Sequence, residues 1–221
     1  MLREIFDNLE RHCGKHEHYF DVYERHFSKF IGKKPVVVEV GICRGGSAEM
    51  WQKYFGEGST IIGIDVDDTA FKPEHQTPGC EQVRGDQGDP AFWAEFFKTH
   101  PDVDVFIDDG GHHQFQQITT LAAVWSHVNI GGVYVCEDTH TSYWPEYSGG
   151  GLKKSTAFLE YAKAVTDTMN SRWYKDADRH PDNMMFADHY KDLASMHFYD
   201  SMVVLEKETK FESKLITSTP I

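Results

Sequence analysis

Basic residues are scarce in this chain: 22 Lys and Arg stand against 35 Asp and Glu, a formal charge of −13. A general nucleic-acid binder needs a net basic face to displace counterions, and an anionic membrane selects for the same sign, so the balance argues against both partners. Long apolar runs are also missing. No stretch approaches the roughly 18 to 20 residues that a membrane span requires. Met1 to Glu10 carries Arg3, Glu4, Asp7 and Glu10 and has no apolar leader core, so a cytoplasmic protein is expected. The four cysteines, Cys13, Cys43, Cys80 and Cys136, form no C-x-x-C pair, which leaves no zinc ribbon or dithiol redox site. Reduced thiols are expected. At 221 residues the chain suits one large α/β domain and needs no disulfide or structural metal to build a core.

What is present is an alternation. Residues 2 to 31 read as helical, with Ile5, Phe6 and Leu9, then Tyr19, Tyr23, Phe27 and Phe30, at helical spacing; Gly14 divides them, and Gly32 and Pro35 end them. Short apolar runs then predict strands at Val36 to Val40, Ile61 to Ile64, Gln82-Val83, Val103 to Ile107, Val133 to Cys136 and Met202 to Leu205. Between them lie helical patterns containing Met50 to Phe55, Pro90 to Lys98, Phe115 to Val128 and Thr156 to Asn170. Strands alternating with helices predict a doubly wound, mostly parallel α/β sheet flanked by helices. The polar, aromatic-rich segment 145–195 reads as a lid or substrate insertion, with Gly149-Gly150-Gly151 as its hinge. The expected divisions are a helical segment 1–34, a core domain 35–207 and a tail 208–221.

The chemistry gathers at the carboxyl ends of the strands, where open α/β sheets bind ligands. The turn Gly41-Ile42-Cys43-Arg44-Gly45-Gly46-Ser47 lets a ligand approach the backbone, but Cys43 breaks the G-x-G-x-x-G dinucleotide pattern and disfavours NAD. Glu39 just before it suits a positively charged ligand. Asp65, with Asp67 and Asp68 as rivals, is placed to accept from ribose hydroxyls. Asp86 and Gln87 could read an adenine edge. Two clusters carry most of the argument: Asp108-Asp109-Gly110-Gly111-His112-His113, and Glu137-Asp138-Thr139-His140. If their strands are neighbours, about 5 Å apart, Asp109, Glu137 and Asp138 converge. Their repulsion is relieved by a hard divalent cation, and an all-oxygen donor set favours Mg²⁺. His112 lies beside such a cation as a general base.

Together these residues resemble the class I S-adenosylmethionine-dependent methyltransferases, and more narrowly the metal-dependent sugar O-methyltransferases of macrolide tailoring. The resemblance runs through Lys15 with Tyr19 and Tyr23, Val38 to Gly41, Gly45-Gly46-Ser47, Met50-Trp51, Gly63 to Asp65, Gly85 to Gln87, Ile107 to His112, Glu137 to Trp144, and His197 to Tyr199. It implies a seven-stranded Rossmann-like fold. It further implies Asp109, Glu137 and Asp138 around Mg²⁺, His112 as base, and a cofactor pocket formed by Glu39, Gly41, Gly45, Ser47, Asp65, Asp86, Gln87 and Asp108. The activity implied is transfer of a methyl group from S-adenosylmethionine to a hydroxyl of a small molecule, a sugar or similar polyol, by a homo-oligomer. Asp200-Ser201 departs from the His-Asn expected after Phe-Tyr, and His140 stands where Gln is common.

Two other readings remain open at this stage. His112, Asp138 and His140 could form the two-histidine, one-carboxylate face of a non-haem iron oxygenase. The chain could also be a non-catalytic nucleotide-binding protein, which has no use for converging carboxylates beside a histidine.

Overall fold

The computed structural model describes residues 1–211 and 214–218; of the tail 208–221, positions 212, 213 and 219–221 lie outside the described residues. Seven strands form one sheet: β1 (Val36–Val40), β2 (Thr60–Asp65), β3 (Cys80–Arg84), β4 (Val103–Asp108), β5 (Val128–Cys136), β6 (Leu193–Tyr199) and β7 (Met202–Lys207). Their order is β3-β2-β1-β4-β5-β7-β6. β1 to β5 run parallel, and β7 is antiparallel to both β5 and β6. This is the doubly wound, mostly parallel arrangement expected from the alternation of elements.

The central strands are mostly apolar because helices cover both faces; Glu39 in β1 and Asp104 and Asp108 in β4 are the polar residues among the apolar runs of those two strands. Val37, Ile61, Val105, Ile107 and Val135 face α1 (Leu2–Asp7), α2 (Tyr19–Phe27) and α3 (Gly46–Phe55), which contribute Leu2, Tyr23, Phe27, Trp51 and Phe55. Val38, Val40, Ile62, Ile64 and Phe106 face the other layer: α4 (Pro90–Thr99), α5 (Gln114–Val124) and α6 (Phe158–Thr168), with Trp93, Leu121, Val124, Phe158 and Val165.

Three expectations are corrected. Residues 8–18 are not helical. The backbone N–H groups of Glu10 and Arg11 bond to the Glu49 carboxylate (3.0 and 3.1 Å), a tertiary pull that outweighs local periodicity. The helix expected to reach Val128 stops at Val124; after one 3₁₀ turn, Val128 already pairs with Val103 in β5. The segment 145–195 is not lid-like throughout. α6 buries Phe158, Ala162 and Val165 in the core, α7 (Pro181–His189) follows, and β6 begins within it. The glycine run is packed: a Cβ at Gly150, which is buried, would sit 2.3 Å from the Trp144 carbonyl oxygen.

Candidate functional site

β4 and β5 are neighbours, with Asp108 opposite Cys136, so Asp109 and Glu137 emerge at the same height. The N–H of Glu137 donates to the Asp108 carbonyl (2.9 Å), and that of Asp109 to the Val40 carbonyl (3.1 Å). Ligating atoms of Asp109, His112 and Asp138 all lie within 4.8 Å of one another. His112 Nε2 is 3.5 Å from Asp138 Oδ2 and 3.9 Å from Asp109 Oδ1. Its other ring nitrogen, Nδ1, is buried without a partner.

His112 and Asp138 both take left-handed backbone conformations, with φ of 57° and 53°. Such residues cost about 1–3 kcal/mol each and persist only where their surroundings enforce them. Here the His112 carbonyl accepts from Thr141 Oγ1 (3.0 Å) and Gln114 Nε2 (3.3 Å), while Gln117 Nε2 donates to the Glu137 carbonyl (3.1 Å). Buried polar residues at the head of α5 thus lock the two acidic loops together. Sequence patterning gives no sign of this, because Gln and Thr on a helix read as solvent-facing.

Glu137 is brought to the cluster but turned inward. Its side chain is 1% exposed. It accepts from Tyr23 Oη at 2.6 Å and, through both oxygens, from Lys15 Nζ at 3.0 Å. Lys15 also reaches Asp109 Oδ2 (2.6 Å) and Glu39 Oε1 (3.5 Å). Burial pushes the Glu137 and Glu39 carboxyls upward. Burial alone would lower Lys15, but Asp109 and Glu137 raise its ammonium well above the ordinary lysine range. Tyr19 Oη donates to Asp138 Oδ1 (2.7 Å) and accepts from the Asp138 N–H (3.2 Å). Residue patterns alone gave Lys15, Tyr19 and Tyr23 no place in the site; their signal lay only in the resemblance, which includes all three.

A second cleft, of about 230 Å³, adjoins this one. It is lined by the turn after β1 and the ends of β2, β3 and β4: Gly41, Cys43, Asp65, Asp86, Gln87 and Asp109 among others. Asp109 also lines the acidic cleft beside Lys15, Tyr19 and Asp138, so one carboxylate is a wall common to both. Asp65 is held by the N–H groups of Cys43 and Asp67 (both 2.9 Å), and Asp86 accepts from the Gly88 N–H (2.8 Å). Gln87 accepts from the Gly111 N–H and donates to Asp108 Oδ1 (both 2.8 Å).

Several residues expected in the pocket stand behind it. Glu39, fully buried, accepts from Ser47 Oγ at 2.5 Å, and neither residue lines the cleft. Gly45 approaches the His75 carbonyl instead, and Asp108 is buried against Gln87 and Tyr134. These four shape the cleft indirectly: Glu39 and Asp108 are inward-facing strand residues, and Gly45 and Ser47, at the head of α3, pack against His75 and Glu39. His140 does not join the cluster with His112 and Asp138: its Nδ1 bonds to Ser201 Oγ, so the oxygenase face is not assembled.

Gly41 has φ +91°, and a Cβ there would lie 1.9 Å from the Asp109 carbonyl oxygen. Gly41→Ala is therefore expected to destabilise the fold by well over about 1 kcal/mol, since the conformation alone costs that order. Gly14→Ala, with nothing within 4 Å of its Cβ, should leave stability nearly unchanged. Urea denaturation of both variants checks the contrast.

The sheet order and the strand-end clefts define the class: this is the fold of the class I S-adenosylmethionine-dependent methyltransferases. Within that class the chain is a homologue of the metal-dependent sugar O-methyltransferases of macrolide and polyketide tailoring. It is similar to the 8-demethyl-8-alpha-L-rhamnosyl tetracenomycin-C 2'-O-methyltransferase of Streptomyces olivaceus, 30% identical over 196 residues, covering 86% of this chain and 50% of that protein. It is also similar to the mycinamicin VI 2''-O-methyltransferase of Micromonospora griseorubida, 29% identical over 217 residues, 90% of this chain and 50% of that protein. Among solved structures, the MycE methyltransferase of the mycinamycin pathway, in complex with Mg, SAH and mycinamycin VI, superposes with a TM-score of 0.80. That match is 25% identical and covers 99% of this chain and 55% of the other. The chain spans about half the length of the curated relatives it matches. No protein-family model matches it.

Proposed function

We propose that this chain carries an O-methyltransferase site that moves a methyl group from S-adenosylmethionine to a hydroxyl of a sugar-bearing small molecule with the help of Mg²⁺. The observation that carries the reading is the shared Asp109 wall, which sets the cleft at the ends of β1 to β4 against the cluster of Asp109, His112 and Asp138. The named relatives and the Mg and SAH complexes of MycE point the same way.

The residues fit both groups. Asp65 and Asp86 present carboxylates already fixed by backbone N–H groups, suited to ribose hydroxyls and an adenine amino group. Gly41 and Gly110 line the cleft and pack so closely on the Asp109 carbonyl and on Gln87 that neither has room for a side chain, so the cleft wall there is bare backbone. Lys15 bridges Glu39, Asp109 and Glu137, and Asp138 lines the same cleft, so one ammonium serves four carboxyl groups; a divalent cation would supply the positive charge that lets more of them ionise. Asp109 and Asp138 would hold it, with Glu137 as the third carboxylate. Such a cation makes a neighbouring sugar hydroxyl more acidic. His112, its Nε2 facing both carboxylates, accepts the hydroxyl proton as the methyl group moves. Tyr19 steadies Asp138 on the side away from His112.

The acceptor class follows from the cleft chemistry: a vicinal diol satisfies an oxygen-seeking cation better than a lone alcohol. The expectation of a cytoplasmic homo-oligomer belongs to the same reading, and sedimentation measures the assembly state. Among the described residues no helix is long and apolar enough to cross a membrane.

Calorimetry with S-adenosylhomocysteine, with and without Mg²⁺, tests the proposal. One molecule bound per chain is expected, together with methyl transfer to a glycosylated polyketide that stops when EDTA removes the cation. Absence of S-adenosylhomocysteine binding in both conditions would remove the donor assignment, and transfer indifferent to EDTA would remove the cation.

A further inference from the structure

At the far edge of the sheet a second group of ligating side chains meets. His26 comes from α2, His197 from β6 and Glu206 from β7, and their ligating atoms lie within 4.8 Å of one another. His26 Nδ1 is 3.1 Å from Glu206 Oε1, and His197 Nε2 is 3.5 Å from Glu206 Oε2. The methyltransferase reading makes no use of them.

We infer that His26, His197 and Glu206 form a binding site for a zinc-type transition-metal cation, separate from the acidic Mg²⁺ cluster. Two imidazoles and one carboxylate are a borderline-soft donor set that suits Zn²⁺ and leaves one position for water; Mg²⁺, which seeks oxygen, has little reason to enter.

The surroundings match those of a metal site. A ligating histidine needs its second nitrogen occupied, and His26 Nε2 is 2.8 Å from Tyr199 Oη. A ligating carboxylate needs an orienting donor, and Ser195 Oγ donates to Glu206 Oε2 at 2.8 Å. Burial lowers the His26 imidazole, which favours its uncharged form, and hydrogen bonds from His26 and Ser195 hold the Glu206 carboxyl down at about 2 despite partial burial. A cation would displace the proton that His26 Nδ1 shares with Glu206, leaving Nε2–H to donate to Tyr199 Oη. His197 is 38% exposed, which gives a cation an entry path without unfolding. Lys29 Nζ lies 3.6 Å from Glu206 and is itself 39% exposed, so its flexible stem can withdraw into water when a cation arrives.

The site would tie α2 to the β6–β7 hairpin. α2 also carries Tyr19 and Tyr23, which hold Asp138 and Glu137.

The test is Zn²⁺ titration of the full chain against a chromophoric chelator in excess Mg²⁺. One Zn²⁺ per chain is expected. His197→Ala and Glu206→Gln should each weaken it by about tenfold or more, whereas Asp138→Asn should leave it unchanged. Zn²⁺ should raise the denaturation temperature of the parent but not of His197→Ala, and Co²⁺ should give a visible absorption band that both edge variants lose. Zn²⁺ affinity that survives both edge substitutions, or that vanishes in Asp138→Asn alone, overturns the inference. Methyl transfer by His197→Ala stays at the parent level, so failure here is distinguishable from failure of the methyltransferase reading.

Discussion

Asp138→Asn is expected to bind S-adenosylhomocysteine as the parent does while losing turnover by about 10²–10⁴-fold, corresponding to the several kcal/mol of transition-state stabilisation that a held cation would supply. The substitution preserves shape. It keeps an oxygen to accept from Tyr19 Oη, now at 2.7 Å, and the backbone N–H still meets the same hydroxyl. What it removes is charge: one of the two carboxylates flanking His112, and one of the two best placed to hold a cation. The donor cleft, built from Gly41, Asp65, Asp86 and Gln87, does not include Asp138. Single-turnover kinetics combined with calorimetry therefore separate the two effects. A matched loss of S-adenosylhomocysteine affinity would mean that Asp138 supports the donor cleft instead. His112→Ala should reproduce the fall in kcat with little change in KM, because an interaction made only in the transition state lowers kcat and kcat/KM together.

The convergence behind this prediction was legible in the sequence for a simple reason. Continuous apolar runs mark buried parallel strands, and in such a sheet the first polar residues after each run fall at one edge. Asp109 and Asp138 needed only that β4 and β5 be neighbours, which they are. The same logic misplaced Glu39 and Asp108. Each is the last or next-to-last residue of its strand, so its side chain points into a helix layer and not off the strand end. Gln114, Gln117 and Thr141 were invisible because their work is to satisfy backbone carbonyls, and no spacing rule encodes that. Lys15 was hidden differently. Its neighbours carry a helical pattern, yet the chain from 8 to 18 is drawn out by Glu49 and by the carboxylates that Lys15 itself neutralises. A long-range charge pairing had overruled local propensity, and one sequence shows only the propensity.

Lys15→Met should be the most destabilising of the substitutions considered, by about 3–5 kcal/mol, the cost of leaving buried charge without its partner. The side chain is 2% exposed and its ammonium bridges Asp109, Glu137 and Glu39. Methionine fills nearly the same volume, so the loss reads charge more than packing. For a chain of this size each kcal/mol shifts the melting temperature by about 2–4 °C, which predicts a fall on the order of 10 °C. Two further measurements distinguish this account from a cavity effect. In Lys15→Met/Glu137→Gln the second substitution removes the charge the first left stranded, so the double variant should be more stable than Lys15→Met alone; additive losses would count against the ion pair. Mg²⁺ should also stabilise Lys15→Met more than the parent, because a dication entering the cleft then meets Asp109, Glu137 and Asp138 with no ammonium competing for them. Equal stabilisation of both proteins would mean that Lys15 and the cation occupy independent places, with Glu137 serving the lysine only.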